Sequence, residues 1–272
     1  MAATTLPIVN IAPRRSLAQT LTVYAKEARY ELTKNVRIPV YAISTVTFPL
    51  MFYVLFGIVL GRNNAAVRND NAVYMLGTMG CFGVMAVALF GFGVSLAIER
   101  GQGWLQVKRA SPMPIGAYFF AKLFAAVAFS TVIILLLLAV GFTFGGVRLP
   151  VATAAKLLGI LVAGSIPFSA MGLAIGYFAK PNSAPSVVNL IYLPMSFCSG
   201  LWIPLFLLPH GLQTFAKFLP PYHLAQLALG TIGMTTEPAT PWSHIEALIG
   251  FTIICLGVAA WGYRRDEGET YG

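Results

Sequence analysis

Six long apolar segments constrain this chain of 272 residues more than any other feature of its sequence. An α-helix rises 1.5 Å per residue, so about 20 apolar residues cross the roughly 30 Å hydrocarbon layer of a membrane. Only 10% of the residues are charged, against roughly 25% in ordinary globular proteins, which is too few for a water-facing surface. The sequence predicts an all-α polytopic membrane protein with six transmembrane helices. The predicted spans are Ile38 to Leu60, Ala72 to Ile98, Leu123 to Phe144, Leu157 to Phe178, Val187 to Leu208 and Ile245 to Tyr263.

A further apolar stretch, Leu212 to Ile232, is interrupted by Lys217, His223 and the Pro220-Pro221 pair. Proline removes a backbone donor, and an unpaired backbone group is costly in hydrocarbon. We therefore expect an outer re-entrant helical hairpin here rather than a seventh crossing.

Basic residues set the predicted orientation. Most of the 18 lysines and arginines flank the spans on one side, and cytoplasmic flanks are the ones enriched in Lys and Arg. Both termini are therefore predicted to be cytoplasmic. The net charge of +9 then reflects membrane topology, and no nucleic-acid partner is predicted.

The segment before the first span has helical periodicity. Residues 1–13 lack the pattern of a signal peptide and are predicted to be a flexible N-terminus. Residues 14–37 are predicted to form an amphipathic interfacial helix, 38–263 the transmembrane domain and 264–272 a cytoplasmic tail. The apolar positions of the helix are Leu17, Leu21, Tyr24, Ala28 and Leu32, and its charged residues, mostly on the other faces, are Lys26, Glu27, Arg29, Glu31 and Lys34. A solvated helix that packs on the protein's own loops is the alternative.

The predicted spans contain almost no ionisable side chain, with Glu246 at the edge of the last one. Proton-coupled carriers generally need buried Asp, Glu or His within the membrane. The chain also lacks the GxxxxGK[ST] phosphate loop, and its three cysteines show no CxxC spacing. No catalytic, cofactor or metal site is predicted, so nucleotide energy would have to come from a partner. A sodium-coupled carrier and a passive channel stay open.

Small residues and prolines recur inside the spans. The pairs Gly57–Gly61, Gly141–Gly145 and Gly172–Gly176 have the GxxxG spacing that lets helix backbones approach closely. We expect them to serve packing within the chain rather than a dimer interface. Pro49 and Pro194 are among the prolines expected to bend a span.

The loop Glu99 to Lys122 joins the second and third spans on the predicted cytoplasmic side. Gly101 and Gly103 are expected to end the second helix, and Trp104 to Arg109 to form a short helix across the membrane surface. Such a bracketed, basic element could receive a soluble partner. An ordinary basic interfacial loop is the alternative.

Here the sequence resembles a known family. The pattern Glu99-Arg100-x-x-Gly103-x-Leu105, then Arg109-Ala110-Ser111-Pro112 and Lys122, resembles the cytoplasmic coupling region of type-2 ATP-binding-cassette exporter permeases. The block from Ser199 to Leu224, with SGLWIP and FLPPYHL, is similar to the family's outer re-entrant hairpin. The sequence departs from the pattern at Gly101, Gln102 and Trp104.

The resemblance implies two groups of site residues. Those expected to couple to an ATPase are Glu99, Arg100, Gly103, Trp104, Leu105, Lys108, Arg109, Ser111 and Pro112, with Tyr24, Lys26, Arg29 and Lys34 of the interfacial helix beside them. Those of the hairpin are Gly200, Trp202, Pro204, Pro209, Pro220 and Pro221.

The resemblance also implies partners and a location. Two copies of this chain in a homodimer, or this chain and a close relative, would pair with two ATPase subunits in a bacterial cytoplasmic (inner) membrane. ATP and Mg would bind to those ATPase partners.

The predicted path lies between two permease copies, lined by the first, second and fifth spans. Because these spans are uncharged and aromatic, we expect an apolar or amphipathic cargo such as a lipid, a lipid-linked glycan or a drug. The candidate residues are Phe48, Phe52, Phe56, Met75, Phe82, Asn189 and Tyr192. An alternative is that these rings face lipid or pack internally. A secondary carrier and a non-transporting scaffold or immunity-type protein remain the competing functions.

Overall fold

The structure, a computed structural model, describes residues 16–63, 68–235 and 240–271, and every regular element within these ranges is a helix. The helices are α1 (Leu17–Val36), α2 (Pro39–Val59), α3 (Asp70–Gly101), α4 (Trp104–Ala110), α5 (Ile115–Thr143), α6 (Val151–Phe178), α7 (Ala184–Cys198), α8 (His210–Ala216), α9 (Pro220–Thr231) and α10 (Pro241–Tyr271). Residues 1–13, predicted to be flexible, lie outside the described ranges.

Within the described ranges five helices, α2, α3, α5, α6 and α10, are long and apolar enough to cross a membrane. The most buried of them is α3, which packs against α2, α5, α6 and α9. Because α3 is apolar on all sides and enclosed by its neighbours, it forms the centre of the bundle. The predicted polytopic all-α architecture is confirmed at this level.

The fifth predicted span is not one continuous helix. Helix α7 has 15 residues, or about 22 Å of length, which is short of the roughly 30 Å hydrocarbon layer. The chain then turns at Gly200, whose φ of 77° lies in the left-handed region that favours glycine. A short 3₁₀ turn, Leu205–Leu207, and the helices α8 and α9 follow.

The GxxxG pairs pack within the chain, as the sequence predicts. A methyl group built at Gly172 would lie 2.7 Å from the carbonyl oxygen of Ala88, so α3 and α6 touch backbone to backbone. A methyl group at Gly57 of α2 would lie 3.1 Å from Cβ of Met75 on α3, and one at Gly141 of α5 would lie 2.8 Å from the hydroxyl oxygen of Tyr53 on α2. Small residues at these positions therefore set the spacing between helices.

One face of helix α1 is buried. Ala28, Glu31 and Asn35 are buried, and α1 packs along α5. Glu31, one of the charged residues named in the sequence, is buried, and its carboxylate pairs with the buried Lys122. Leu17 and Leu21, by contrast, are exposed at the beginning of the helix.

Helix α10 continues without interruption from Pro241 to Tyr271. The segment 264–271, expected to be a tail, therefore prolongs the last helix beyond its apolar part. At this end Arg100 of α3 reaches Asp266 of α10, with 3.5 Å between their side-chain atoms. Helices α1 and α4 lie at the same end of the bundle, which we call the α1 end.

Candidate functional site

Four charged side chains meet at the α1 end. The Nζ atom of Lys122 lies 3.0 Å from Oε1 of Glu31 and 3.1 Å from Oε1 of Glu99. The Nζ atom of Lys34 lies 2.6 Å from each of the same two carboxylates. Two lysines and two glutamates therefore form a neutral cluster that joins α1, α3 and α5, and we call it the ionic cluster.

Neighbouring hydroxyl groups complete the hydrogen bonding of the ionic cluster. Lys122 donates to the hydroxyl of Ser95 at 2.7 Å, and that hydroxyl donates to Glu99 at 3.1 Å. The hydroxyl of Tyr118 donates to the second oxygen of Glu99. Burying charges is costly unless each is paired and hydrogen-bonded, and these contacts satisfy that condition.

Lys34 lies outside the membrane-spanning helices, and its environment stabilises the charged form. Partial burial on its own would lower the pKa of Lys34, but the carboxylates of Glu99 and Glu31 outweigh it and raise that pKa. The ammonium group is therefore charged at neutral pH. Glu31 and Lys122 were not among the predicted site residues. Lys122 belongs to the pattern that resembles the family's coupling region, whereas for Glu31 the helical periodicity of α1 was the only sequence signal.

Helix α4 has one buried face and one exposed face. Gly103 has a φ of 77°, which ends α3 and starts α4 in the place that the sequence predicts. Leu105 is 2% exposed and packs into an apolar cluster with Leu96 and Tyr118. Trp104 and Val107 are 54% and 60% exposed. The helix is therefore fixed to α3 and α5 by Leu105 and presents an apolar surface outward.

Two basic residues of the predicted coupling group are held by the chain itself. A guanidinium nitrogen of Arg100 donates to the carbonyl oxygen of Ala179 at 2.9 Å. Lys108 pairs with Glu27 of α1 at 3.1 Å and lies 4.7 Å from the centre of the Tyr118 ring. These contacts connect α4 and α3 to their neighbours, in addition to any role toward a partner.

The remaining coupling residues lie where α4 ends. The hydroxyl of Ser111 donates to the carbonyl oxygen of Lys108 at 2.7 Å and accepts from the N–H of Met113 at 3.3 Å. Pro112 follows on the surface. The side chain of Arg109 lies outside the described part of the chain.

The four residues singled out on α1 divide into two groups. Tyr24 packs on Phe120 of α5 with ring centres 5.4 Å apart, and Lys34 belongs to the ionic cluster. Lys26 and Arg29 are exposed. Only these last two have side chains directed to the surroundings.

An apolar cavity of about 520 Å³ lies between α2, α3 and α7. Aromatic rings supply much of its wall, and the few polar groups come from hydroxyls and one amide. Its lining residues are Val40, Tyr41, Ser44, Thr45, Phe48, Pro49, Phe52, Phe82, Ala86, Phe90, Asn189, Tyr192, Leu193 and Trp202. The volume lies within the range of roughly 300 to 1,000 Å³ that is common for small-molecule sites.

Five of the seven predicted path residues line this cavity: Phe48, Phe52, Phe82, Asn189 and Tyr192. Met75 does not; it is 4% exposed and belongs to the core. Phe56 lies behind the wall, with its ring centre 5.9 Å from that of Trp202. Asn189 is exposed, and its amide has no hydrogen-bond partner among the described residues.

Trp202 is the residue whose position sequence reasoning missed. It was predicted within the hairpin, yet its ring lies 4.3 Å from Phe52 and 5.0 Å from Phe82, between ring centres. Its Nε1 donates to the hydroxyl of Ser196 at 2.9 Å, which fixes the ring. The turn at Gly200 folds the chain back so that Trp202 closes the end of the cavity away from α1. Gly200, two positions earlier, was the available sequence signal for a turn, but the contacts of Trp202 with α2 and α3 depend on the tertiary arrangement.

The predicted hairpin residues otherwise position local structure. The carbonyl oxygen of Gly200 accepts from the hydroxyl of Tyr74 on α3 at 2.8 Å. Pro204 precedes the 3₁₀ turn and Pro209 precedes α8. Pro220 and Pro221 occupy the first turn of α9, where a missing N–H costs little, and both are buried.

Two histidines connect α9 to α10. The Nδ1 atoms of His223 and His244 lie 2.9 Å apart, and Nε2 of His223 lies 3.0 Å from the carbonyl oxygen of Lys217. Burial and the neighbouring His244 lower the pKa of His223. Among the described residues no three His, Cys, Asp or Glu side chains are grouped for a metal ion. The pair forms a contact between α9 and α10.

Comparison with known proteins agrees with this arrangement. Residues 26–232 match the ABC-2 type transporter family, which covers α1 from Lys26 through α9. A protein of Bacillus subtilis (strain 168), described as "Putative transport permease YvfS", is 26% identical over 251 residues, covering 91% of this chain and 99% of the relative. The apolar helices and the family match together identify a multi-pass membrane protein with the architecture of a transport permease. The chain belongs to the ABC-2 type transporter family.

Proposed function

We propose that the chain is the transmembrane permease subunit of an ATP-driven exporter. In this proposal α1 and α4 lie on the cytoplasmic face of a bacterial inner membrane, with both termini inside. A separate ATPase subunit binds ATP and Mg, and this chain binds neither.

The observation that carries the proposal is the two-sided helix α4. Its outward apolar residues, Trp104 and Val107, are exposed at an end of the molecule rich in charged groups. Buried aromatic anchors supply much of the binding free energy at protein interfaces. Its inward residue, Leu105, connects the same helix to α3 and α5. A force applied to Trp104 would therefore reach two membrane-spanning helices directly.

The ionic cluster supports a role for α1 in the same step. It joins α1 to α3 and α5 through paired charges that are largely withdrawn from solvent. Lys26 and Arg29 remain exposed on α1 and are available to an ATPase surface. Exposed ion pairs contribute only about 0 to 1 kcal/mol each, so we expect α4 to dominate docking.

The cavity supports an apolar or amphipathic cargo, such as a lipid, a lipid-linked glycan or a drug. Its wall is mainly aromatic and aliphatic, and Asn189 supplies an amide with no partner in the described chain. The cavity borders α2, whose residues Val40, Ile43 and Met51 are exposed. We propose that a second copy faces this surface and that cargo passes between the two copies.

The test is to purify this chain through a tag from its native membrane and to measure the amount of ATPase recovered with it. Trp104→Ala should reduce the recovered ATPase and its stimulated hydrolysis, because the exposed ring is lost without disturbing the bundle. Trp242→Ala is the matched control, since Trp242 is 70% exposed at the opposite end of the structure. Equal ATPase recovery in both variants would remove α4 from the docking surface.

A further inference from the structure

A second cavity, of about 330 Å³, lies at the α1 end of the bundle. One part of its wall is the ion pair between Lys34 and Glu99, whose atoms are 2.6 Å apart. The side chains of these two residues are 25% and 17% exposed, whereas Lys122 in the same ionic cluster is fully buried. A ligand in this cavity could therefore reach one ammonium and one carboxylate, but not the second lysine.

The two cavities share a wall. Tyr41 of α2 and Phe90 of α3 line both of them. The ring of Tyr41 lies 5.7 Å from that of Phe129, and a methyl group built at Gly91 would overlap the Tyr41 hydroxyl oxygen. Glycine at position 91 is thus what lets the Tyr41 ring lie between the cavities.

The Tyr41 hydroxyl is poorly satisfied where it lies. It is buried and makes no well-formed hydrogen bond with the described residues, although Thr45 of the same helix is close by. A buried hydroxyl without a good partner favours any alternative position in which it finds one. A ligand head group beside Lys34 and Glu99 would offer such a partner.

We propose that the two cavities form one elongated site for a single-chain amphipathic molecule with a zwitterionic head group, and that Tyr41 is the movable partition between them. This proposal rests on the proposed function, since it names the class of cargo. A phosphate of the head group would face Lys34 and an ammonium would face Glu99, so both charges of the ion pair are matched. The hydrocarbon chain would pass Tyr41 and lie against Phe82 and Tyr192.

The charge balance of the cavity favours a zwitterionic head over an anionic one. Lys34 already contacts two carboxylates, Glu31 and Glu99. An anionic head that took Lys34 would leave Glu99 less compensated, and removing one partner of a buried pair is costly. A zwitterion supplies a positive group for that carboxylate at the same time.

The experiment uses the purified permease without any ATPase and a lysophosphatidylethanolamine probe with a photoreactive diazirine at the end of its chain. Labelled peptides are located by mass spectrometry. We expect labelling at Phe82 and Tyr192, and about tenfold less with a lysophosphatidylglycerol probe of equal length, the loss expected for one charge-assisted hydrogen bond. Ala86→Phe, which fills the cavity from its wall, should abolish this labelling.

Variants of the partition and of the outer surface complete the test. Tyr41→Ala should increase labelling at Phe82, because the partition is removed. Tyr41→Phe should decrease it, because the ring still separates the cavities and the hydroxyl that would bind the head group is lost. Leu190→Phe is the control and should leave labelling at Phe82 unchanged, since Leu190 is 76% exposed on α7. Equal labelling by both probes, or labelling confined to exposed residues such as Leu190, would overturn the proposal. ATPase co-purification is a separate measurement. A wrong proposal about the elongated site can therefore be told apart from a wrong proposal about the function of the chain.

Discussion

The Nζ atom of Lys122 on α5 lies 3.0 Å from Oε1 of Glu31 on α1, and both side chains are withdrawn from solvent. Residues 91 positions apart in sequence thus meet in a buried ion pair. Through this contact the helix at the surface is fixed to a helix that spans the bundle. Movement of α1 therefore requires either movement of α5 or separation of the pair.

Loss of Lys122 should destabilise the folded chain. We expect Lys122→Met to cost about 3 to 5 kcal/mol, since two glutamates would be left with one lysine in a buried place. The measurement is the free energy of unfolding in detergent. Lys26→Met is the control, because Lys26 is exposed on α1 and should change stability by less than about 0.5 kcal/mol. If both variants lost the same free energy of unfolding, the ionic cluster would make no specific contribution to stability.

Variants of the neighbours Trp104 and Leu105 should have different effects on ATPase docking and on folding stability. Leu105→Ala removes a side chain that is 2% exposed and should cost about 2 to 5 kcal/mol of folding free energy. Trp104→Ala should leave the unfolding midpoint almost unchanged while lowering ATPase recovery. Thermal unfolding and co-purification on the same samples measure both quantities. A Trp104→Ala variant that unfolds like Leu105→Ala would show that the exposed ring is structural.

The contact between α3 and α6 should tolerate no added carbon at Gly172. A methyl group there would lie 2.7 Å from the Ala88 carbonyl oxygen, which belongs to backbone and cannot turn aside. We expect Gly172→Ala to cost about 1 to 3 kcal/mol of unfolding free energy. Gly159→Ala on the same helix has open space around it and should be neutral or stabilising. If Gly159→Ala were less stable than Gly172→Ala, the close backbone contact between α3 and α6 would be contradicted.

Acid should loosen the contact between α9 and α10. The pKa of His223 is lowered by burial and by His244, so the folded chain binds this proton less readily than the unfolded chain does. The stability that neutral His223 contributes is therefore present above its ordinary pKa of about 6.5 and is lost as the pH falls below it. Hydrogen exchange in α9 should accelerate between pH 7.5 and 5.5, after correction for the intrinsic rate. His223→Gln should remove this pH dependence, whereas the exposed His210→Gln should retain it.

Much of the architecture could be predicted because it follows from hydropathy. A run of about 20 apolar residues predicts a buried or lipid-facing helix, because a helix forms all of its backbone hydrogen bonds within the segment. Helices α2, α3, α5, α6 and α10 can be predicted in this way. The break at Gly103 follows in the same way, because its φ is one that only glycine adopts readily.

The fifth span and the ionic cluster could not be predicted for a different reason. The apolar run from Val187 to Leu208 has the composition of a span, and its interruption at Gly200 depends on tertiary contacts, including the hydrogen bond from Tyr74. Glu31 and Lys122 look like charges of an exposed face until α1 and α5 are brought together. The local hydropathy pattern predicts the helices, whereas the partners of a buried charge depend on the three-dimensional arrangement.

The most direct test of an ATPase-driven permease is the mass of the complex isolated from its native membrane through a tag on this 29.2 kDa chain. We expect two permease chains with two ATPase subunits, and loss of the ATPase subunits in Trp104→Ala while the fold is retained. Recovery of the chain with no ATPase, together with cargo movement in vesicles driven by an ion gradient alone, would contradict the proposed mechanism.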